Sequence, residues 1–348
     1  MNPALGALGL TLPLLQAGMG GVAGPKLCAA VSEAGAGGTL ALYREPPDRV
    51  ARLVRNTAAA TARPFGVNVI PEVTGPVACR AQVRAALEHL PAHGFVTFFG
   101  LPAPDLLREV TRSGHRTVVQ VGSSSQADGA LEYGADVLVL QGEEAGGHLL
   151  GTAPGLSLLS DVRARYPRAV LVLAGGIATG ADLAHALARG ADGALAGTLF
   201  VPARESDAHP AYKRRVAAAT AHDTVVTSLF DIGWPGRPHR VLRNPLTGPT
   251  GAADRRPAYF IATTEARGRS FPIPRYSAVA PSAGTRGRVM EMAMYCGRSC
   301  DRVFDTGPVG AVLDRFRQEY AAAVAQEYVE AAAAARAPSP SEGGTRHG

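Results

Sequence analysis

The feature that most constrains the fold is an alternation of short, β-rich apolar runs with helical Ala/Leu/Arg stretches, from Leu12 to Thr198. This alternation is typical of βα units stacked on a parallel sheet. Eight runs are predicted as strands: LPLLQA, GGTLAL, FGVNVI, FVTFFG, TVVQVG, DVLVLQG, AVLVLAG and GALAGT. Eight βα units of this length close a (β/α)8 barrel, so an α/β TIM-barrel fold is predicted.

The stretches between the strands carry their own end signals. PKLCAAVSEAG has Pro25 at its start and Gly35 at its end, as helix caps require. Residues 118–142 and 170–198 also share the order strand, glycine turn, helix, Gly-Ala-Asp and strand, as successive units of one barrel should. Asp136 and Asp192 precede strands in these repeats, at the end of the barrel that serves stability, so both are predicted to be structural.

The alternation fails after about residue 220, which sets the predicted domains. Residues 1–220 are predicted to form the barrel. Residues 221–288 are rich in turn-forming residues and are predicted to form a lid or small appended domain. Helical periodicity returns in RVMEMAMY and in GAVLDRFRQEYAAAVAQEYVEAAAAA, so 289–335 are predicted to be C-terminal helices packing back on the barrel, with 336–348 a disordered tail.

Composition narrows the class of protein. The chain has 348 residues, 46% hydrophobic and 18% charged, which is typical of a soluble globular protein. The net charge of +6 would be compatible with binding to nucleic acid. However, the arginines are scattered and the only lysines are Lys26 and Lys213, so no nucleic-acid partner is expected.

The start of the chain lacks a basic region and no segment is long and apolar enough to span a membrane, so a cytoplasmic protein is predicted. Four cysteines without a CxxC pair or zinc spacing predict neither a disulfide framework nor a metal site.

A glycine-rich loop near the start leaves a second fold open. GMGGVA at 18–23 fits the G-x-G-x-x-G/A fingerprint, and Glu45 falls near the end of the second strand, as in dinucleotide-binding folds. So short a match is weak alone, and a doubly wound sheet does not explain the later glycine loops. Those loops favour the barrel.

The later loops, AGGIATG and GTLF, follow the seventh and eighth predicted strands. In a TIM barrel, backbone N–H groups and a helix N-terminus at these two places form a phosphate site. Gly175 and Gly176 would let the main chain approach an anion closely. Gly197 and Thr198 would add N–H groups and a hydroxyl. A bound phosphate group is therefore predicted here.

The segment QGEEAGGHLLG, 141–151, follows the sixth predicted strand and contains His148. A residue just past the carboxyl end of a barrel strand projects into the active-site mouth. Gly146 and Gly147 would keep that wall free of side chains, so that a flat ligand could lie against the backbone. Histidine titrates near neutrality, so His148 is the predicted catalytic acid or base.

These segments resemble the nitronate monooxygenase family, formerly called 2-nitropropane dioxygenases. The resemblance rests on LLQAGMGGVAGPKLCAAVSEAGAGG, FGVNV, GADVLVLQGEEAGGH, LAGGIATG, GADGALAGTLF and YCGRS, and runs from about Leu12 to Ser299. Flavin-dependent enoyl-acyl-carrier-protein reductases of the same superfamily share several of these segments. The motifs therefore specify fold and cofactor better than substrate.

The resemblance implies an FMN-bound barrel in which His148 is the base or proton relay. It implies that the phosphate is held by Gly175, Gly176, Gly197 and Thr198. It implies that the flavin ring lies over Ala17, Gly18, Met19 and Gly20, is contacted by Asn68, Gln141, Gly146 and Gly147, and has Gly297 and Ser299 near its edge. Gln120 is expected to reach the flavin through a hydrogen bond.

The implied activity is oxidation of alkyl nitronates or nitroalkanes with O2 to carbonyl compounds and nitrite. The alternatives are an NAD(P)H-dependent FMN reductase of enoyl or quinone substrates and, from another class, a flavin-binding protein without catalysis, which the intact His148 argues against. The expected partners are the nitro compound and O2, and a homodimer is compatible with the sequence.

Several positions depart from the family pattern. The family usually has proline where this chain has Gly18, and lysine or proline near Gln120. Cys296 and Arg298 stand where alanine and glutamine are common. These differences leave FMN binding as the expectation but bear on the substrate, since Gln120 brings no charge.

Overall fold

The computed structural model describes residues 3–6, 8–248, 259–266, 269–304 and 307–336. Eight parallel strands form the predicted barrel: β1 Leu14–Gln16, β2 Thr39–Ala41, β3 Gly66–Val69, β4 Phe95–Phe99, β5 Arg116–Val121, β6 Val137–Gln141, β8 Leu171–Ala174 and β9 Gly193–Ala196. They pair in the order β1-β9-β8-β6-β5-β4-β3-β2. Gly37, just before β2, bridges to Leu15 of β1 and joins the two ends of the sheet. The TIM-barrel prediction is confirmed.

Helices alternate with these strands, and most of them begin at a proline. They are α1 Pro3–Gly6, α2 Pro25–Glu33, α3 Pro47–Ala58, α4 Pro71–Thr74, α5 Pro76–Leu87, α6 Pro104–Arg112, α7 Ser124–Glu132, α8 Gly155–Arg165, α9 Gly180–Ala188, α10 Pro210–Ala217 and α11 Val309–Arg336. Proline suits the first helical position because its missing N–H would have no partner there. Helix α2 starts at Pro25 as predicted, and Gly35 follows its end with a φ of +80°.

The barrel interior is filled with side chains. Phe95, Val118 and Val172 are completely buried and pack in one cluster with Leu5 and Leu8 from the start of the chain. A filled interior confines any ligand to the ends of the barrel.

The two aspartates of the internal repeat tie strands together. Asp136 accepts a hydrogen bond from the backbone N–H of Thr117 at 2.8 Å. Asp192 accepts one from the N–H of Leu171 at 2.9 Å and pairs with Arg163 at 2.8 Å. Each carboxylate satisfies a backbone donor at the start of a neighbouring strand, so the predicted structural role is confirmed.

The turn-rich segment after the barrel contains two small antiparallel sheets. In the first, β10 Thr224–Thr227 pairs with β11 His239–Leu242, and β11 pairs with β7 Gly147–His148, a short strand in the loop after β6. In the second, β12 Phe260–Ala266 lies between β13 Arg269–Pro274 and β14 Thr285–Gly287. Residues 249–258 and 267–268 of the predicted lid lie outside the described residues. The segment is thus attached to the barrel through β7.

The helix predicted for RVMEMAMY is wrong. Only Val289–Glu291 forms a helical turn, of the 3-10 type, and Tyr295 bridges to Val241 of β11. Met292, Ala293 and Met294 are all buried. Three successive buried residues cannot all lie on one face of a helix, whereas an extended chain buried on both sides accommodates them.

The second C-terminal helix is present as α11, Val309–Arg336. It packs against α9 and α2, and Glu319 accepts a hydrogen bond from the N–H of Gly180 at 3.0 Å. Arg336 belongs to this helix, and the rest of the predicted tail lies outside the described residues. In the described part of the chain, no helix has the length and apolarity needed to cross a membrane.

Candidate active site

A cavity lies at the carboxyl ends of the barrel strands, where the loops after β1, β6, β8 and β9 meet. About 1280 Å³ of free space lies between the atoms that line it, with solvent at its mouth included. The structure brings all the predicted site residues together around this cavity: His148, Ala17, Gly18, Met19, Gly20, Asn68, Gln120, Gln141, Gly146, Gly147, Gly175, Gly176, Gly197, Thr198, Gly297 and Ser299.

The loops after β8 and β9 form a glycine cradle, defined by Gly175, Gly176, Gly197 and Thr198. Gly175 and Gly176 have φ values of +100° and +79°, a region that favours glycine. A Cβ atom added at Gly176 would meet nothing closer than the Glu144 side chain at 4.0 Å, so the space beside it is open. The N–H groups of Gly176 and Gly197 donate to no other described residue. Bare N–H groups beside open space suit an anion.

The expected helix N-terminus is not available to that anion. The Asp182 carboxylate accepts hydrogen bonds from the N–H groups of Ala178 at 2.9 Å and Thr179 at 2.8 Å, and so caps α9. The predicted site also does not include Arg302, which donates to the Gly176 carbonyl at 2.8 Å and contacts Asp182 at 3.2 Å. Arg302 thus fixes the backbone of the cradle while its charge is paired with Asp182, and no motif in the sequence marks it.

Gly297 and Ser299 lie against this cradle. The Gly297 N–H donates to Thr198 Oγ1 at 2.9 Å, and Ser299 Oγ lies 3.5 Å from the Ile177 carbonyl. A Cβ atom at Gly146 would come within 2.4 Å of the Gly297 nitrogen. Gly146 is therefore required for close backbone packing rather than for a bare wall, whereas Gly147 has open space beside it.

Two other residues predicted to contact the ligand, Gln141 and Asn68, also interact closely with neighbouring parts of the protein. The Gln141 amide donates to the His148 carbonyl at 3.0 Å and accepts from the Leu150 N–H at 2.8 Å, so it fixes the chain on both sides of the histidine. A Cβ atom at Gly18 would lie 2.2 Å from Asn68 Cβ. The side chain of Asn68 thus fills the space that a proline at position 18 would need.

His148 lies in β7, held by pairing with His239 of β11. It lines the cavity but is only 8% exposed. Its Nε2 atom is buried and has no hydrogen-bond partner among the described residues. A buried polar atom without a partner costs free energy, so its persistence at a cavity wall is a sign of function.

Burial also sets the protonation state of His148. Desolvation, with smaller contributions from the nearby His239 and Arg237, lowers the pKa of His148 to about 2. Burial lowers the pKa of His239 as well. The expectation that His148 titrates near neutrality therefore fails, because its surroundings disfavour the charged form. The imidazole is therefore neutral at physiological pH.

Trp234 covers the histidine and was not among the predicted residues. Its ring is stacked on the His148 imidazole, with centroids 3.7 Å apart and planes inclined by 17°. Its Nε1 donates to Glu72 Oε1 at 2.9 Å, and Glu72 also pairs with Arg237. Trp234 is the only tryptophan in the chain and stands between glycine and proline in the predicted lid, which was the available signal.

Comparisons with known proteins agree with this architecture. Residues 2–319 match a family model described as nitronate monooxygenase. The chain is 34% identical over 246 residues to (3aS,4S,5R,7aS)-5-hydroxy-7a-methyl-1-oxo-octahydro-1H-indene-4-carboxyl-CoA dehydrogenase of Mycobacterium tuberculosis, covering 70% of this chain and 67% of the relative. It is 31% identical over 293 residues to nitronate monooxygenase of Paraburkholderia phytofirmans, covering 72% and 78%.

Solved structures show the same fold over almost the whole chain. FabK from Thermotoga maritima has a TM-score of 0.77 and 28% identity, covering 95% of this chain and 99% of its own. Nitroalkane oxidase from Streptomyces ansochromogenes has a TM-score of 0.73 and 28% identity, covering 93% and 99%. The chain is an oxidoreductase, and with the family model matched over most of its length it belongs to the nitronate monooxygenase family.

Proposed function

We propose that the chain binds FMN in this cavity and oxidises alkyl nitronates, or the nitroalkanes that give rise to them, with O2 to carbonyl compounds and nitrite. The observation that carries the proposal is the buried, unpartnered Nε2 of His148, which lies in the same cavity as the glycine cradle. The cavity thus offers anion-binding backbone at the cradle and a neutral imidazole at His148.

The residues of the cavity fit FMN. The cradle would hold the terminal phosphate through the N–H groups of Gly176 and Gly197, while Arg302 holds the Gly176 carbonyl in place. Ala17 to Gly20 present a surface with one long side chain, Met19, against which a flat ring can lie. FMN, when bound, supplies the redox chemistry.

His148 would take the proton from a neutral nitroalkane. An isolated imidazolium is disfavoured there, since burial lowers its pKa to about 2. Proton transfer from the substrate creates a nitronate anion beside the imidazolium, and the resulting ion pair has no net charge. Pairing offsets part of the desolvation cost that an isolated charge would meet. The role of Trp234 in this step is to exclude water from the imidazole face.

The competing function is an FMN-dependent reductase of enoyl or quinone substrates. The observation in its favour is that no lysine or arginine is among the described residues lining the cavity, so nothing there attracts an anionic substrate. The similarity to FabK is a likeness of fold over almost the whole chain, so it does not distinguish the two functions.

Anaerobic mixing of the FMN-loaded protein with ethyl nitronate and, separately, with NADH distinguishes the two functions. Ethyl nitronate should bleach the visible flavin absorbance, and readmitted O2 should restore it with release of nitrite. NADH should leave the absorbance unchanged on the same timescale. Rapid bleaching by NADH without a response to the nitronate would establish the reductase instead.

A further inference from the structure

The part of the cavity around His148 is walled by an aromatic and apolar cluster, defined as Tyr43, Ile70, Phe99, Trp234 and Ala278. Trp234 meets Phe99 edge to face at 5.4 Å and lies nearly parallel to Tyr43 at 6.2 Å. Aromatic walls in these orientations offer both stacking and edge contacts to a flat group.

Three polar side chains of this region, those of Tyr43, Tyr295 and Trp234, already have hydrogen-bond partners within the protein. The Tyr43 hydroxyl donates to the Gly233 carbonyl at 3.3 Å, and the Tyr295 hydroxyl donates to the Ala278 carbonyl at 2.7 Å. Trp234 Nε1 is held by Glu72. A polar substituent on a substrate would therefore lose its hydration without gaining these groups as partners.

The lining of the cavity offers no counter-ion to an anionic substituent. No guanidinium or ammonium group belongs to the described residues of the lining, and Gln120 adds an uncharged amide to it. A carboxylate on the substituent would therefore be buried without a counter-ion from the lining, which is costly.

We propose that the physiological substrate is a nitro compound with an uncharged, flat apolar substituent, and that Trp234 is the residue that selects it. The proposal rests on the function proposed above and narrows its substrate class. The nitro-bearing carbon would lie at His148, while the substituent would pack among Trp234, Phe99 and Ile70. Trp234 is fixed by Glu72 and stacked on His148. Its indole would therefore contact the substituent and at the same time cover the base.

The test compares kcat/KM for three nitronates with the FMN-loaded protein: those of 1-nitro-2-phenylethane, 1-nitrobutane and 3-nitropropanoate. The aryl nitronate should exceed the carboxylate-bearing one by about 10²-fold, the scale on which a site rejects a group it cannot pair. The butyl compound, similar in size to the carboxylate, should fall between them. Equal or higher kcat/KM for the carboxylate-bearing nitronate would overturn the proposal.

Two variants identify the residues responsible. Trp234→Ala should reduce the ratio of aryl to butyl turnover by about 10-fold, since it removes the stacking surface. Gln120→Lys should raise relative turnover of the carboxylate-bearing nitronate by about 10-fold, because it supplies a counter-ion in the cavity. The second variant is a gain of function, so it tests the lack of a counter-ion even if Trp234→Ala fails to fold. If neither turnover ratio changed in its variant, Trp234 and Gln120 would not determine substrate specificity.

Ligand binding gives a measurement that does not depend on turnover. Emission from Trp234, titrated with 3-phenylpropanamide and 3-phenylpropanoate, should show at least about 10-fold tighter binding of the amide. If no nitronate is oxidised but the amide binds more tightly, the proposed oxidation fails while the preference for uncharged, flat ligands stands. Equal affinities for the two ligands would contradict the preference itself.

Discussion

The indole of Trp234 lies 3.7 Å from the His148 imidazole, measured between ring centroids, with the two planes inclined by only 17°. Trp234 comes from the segment after the barrel and His148 from the loop after β6, so the contact joins two parts of the chain that are distant in sequence. Because Trp234 is the only tryptophan, all indole emission comes from this one site.

The contact makes the protonation of His148 directly measurable. A charged imidazolium quenches indole emission much more strongly than neutral imidazole does. Since burial lowers the pKa of His148 to about 2, Trp234 emission should stay constant between pH 8 and pH 5. A fluorescence titration of the FMN-free protein checks this. A fall in emission with a midpoint near pH 6.5 would show that the imidazole titrates as an exposed histidine does.

The same pKa predicts how stability depends on pH. Between pH 6.5 and pH 2 the unfolded chain binds a proton at His148 that the folded chain does not, so the free energy of unfolding falls as pH falls below 6.5. From pH 7 to pH 5 the contribution of His148 is a loss of about 2 kcal/mol.

Urea unfolding at both pH values, with wild type and His148→Asn, isolates this contribution from that of His239. The variant should lose about 2 kcal/mol less than wild type over the same interval. Equal losses in the two proteins would mean that His148 has the same pKa in the folded and unfolded chains.

The cradle can be tested with a matched pair of glycines. Gly176 and Gly114 have nearly equal φ values, +79° and +85°, and a Cβ atom at either has space around it, but only Gly176 lines the cavity. Leucine at either position should impose a similar backbone strain. Only Gly176→Leu should weaken FMN binding, by at least about 10-fold, because its side chain occupies the approach of the phosphate.

Flavin titration of both variants supplies the measurement, with thermal unfolding as the check on strain. If Gly176→Leu retained the FMN affinity of Gly114→Leu, the phosphate would have to bind elsewhere.

The barrel could be predicted because each of its strands is a short apolar run bounded by glycine, so local pattern and final structure agree. Gly175, Gly176 and His148 could be placed because the residues that follow barrel strands meet at one end. The region after the barrel could not, since β10 and β11 are defined by pairing with each other and with β7 across long sequence separations.

The chemistry of the site was harder to predict than its location. The expected contact of Gln141 with the flavin stays a prediction, but the role of its amide in holding the backbone at His148 and Leu150 was not foreseen. His148 was expected to titrate near neutrality, but the depth of its burial depends on Trp234, which belongs to a different part of the chain. The contacts that His148 makes with Gln141 and with Trp234 cannot be predicted from the residues next to the histidine in the sequence.

The central claim, that His148 takes the proton from a nitro substrate, is tested most directly by His148→Asn assayed with nitroethane and with ethyl nitronate. The variant should retain FMN, since His148 is not in the cradle. Turnover of neutral nitroethane should fall by about 10²-fold or more, the typical contribution of a general base. Ethyl nitronate is already deprotonated, so the variant should keep a larger share of its activity on it. Equal losses on both compounds, or undiminished turnover of nitroethane, would contradict the claim.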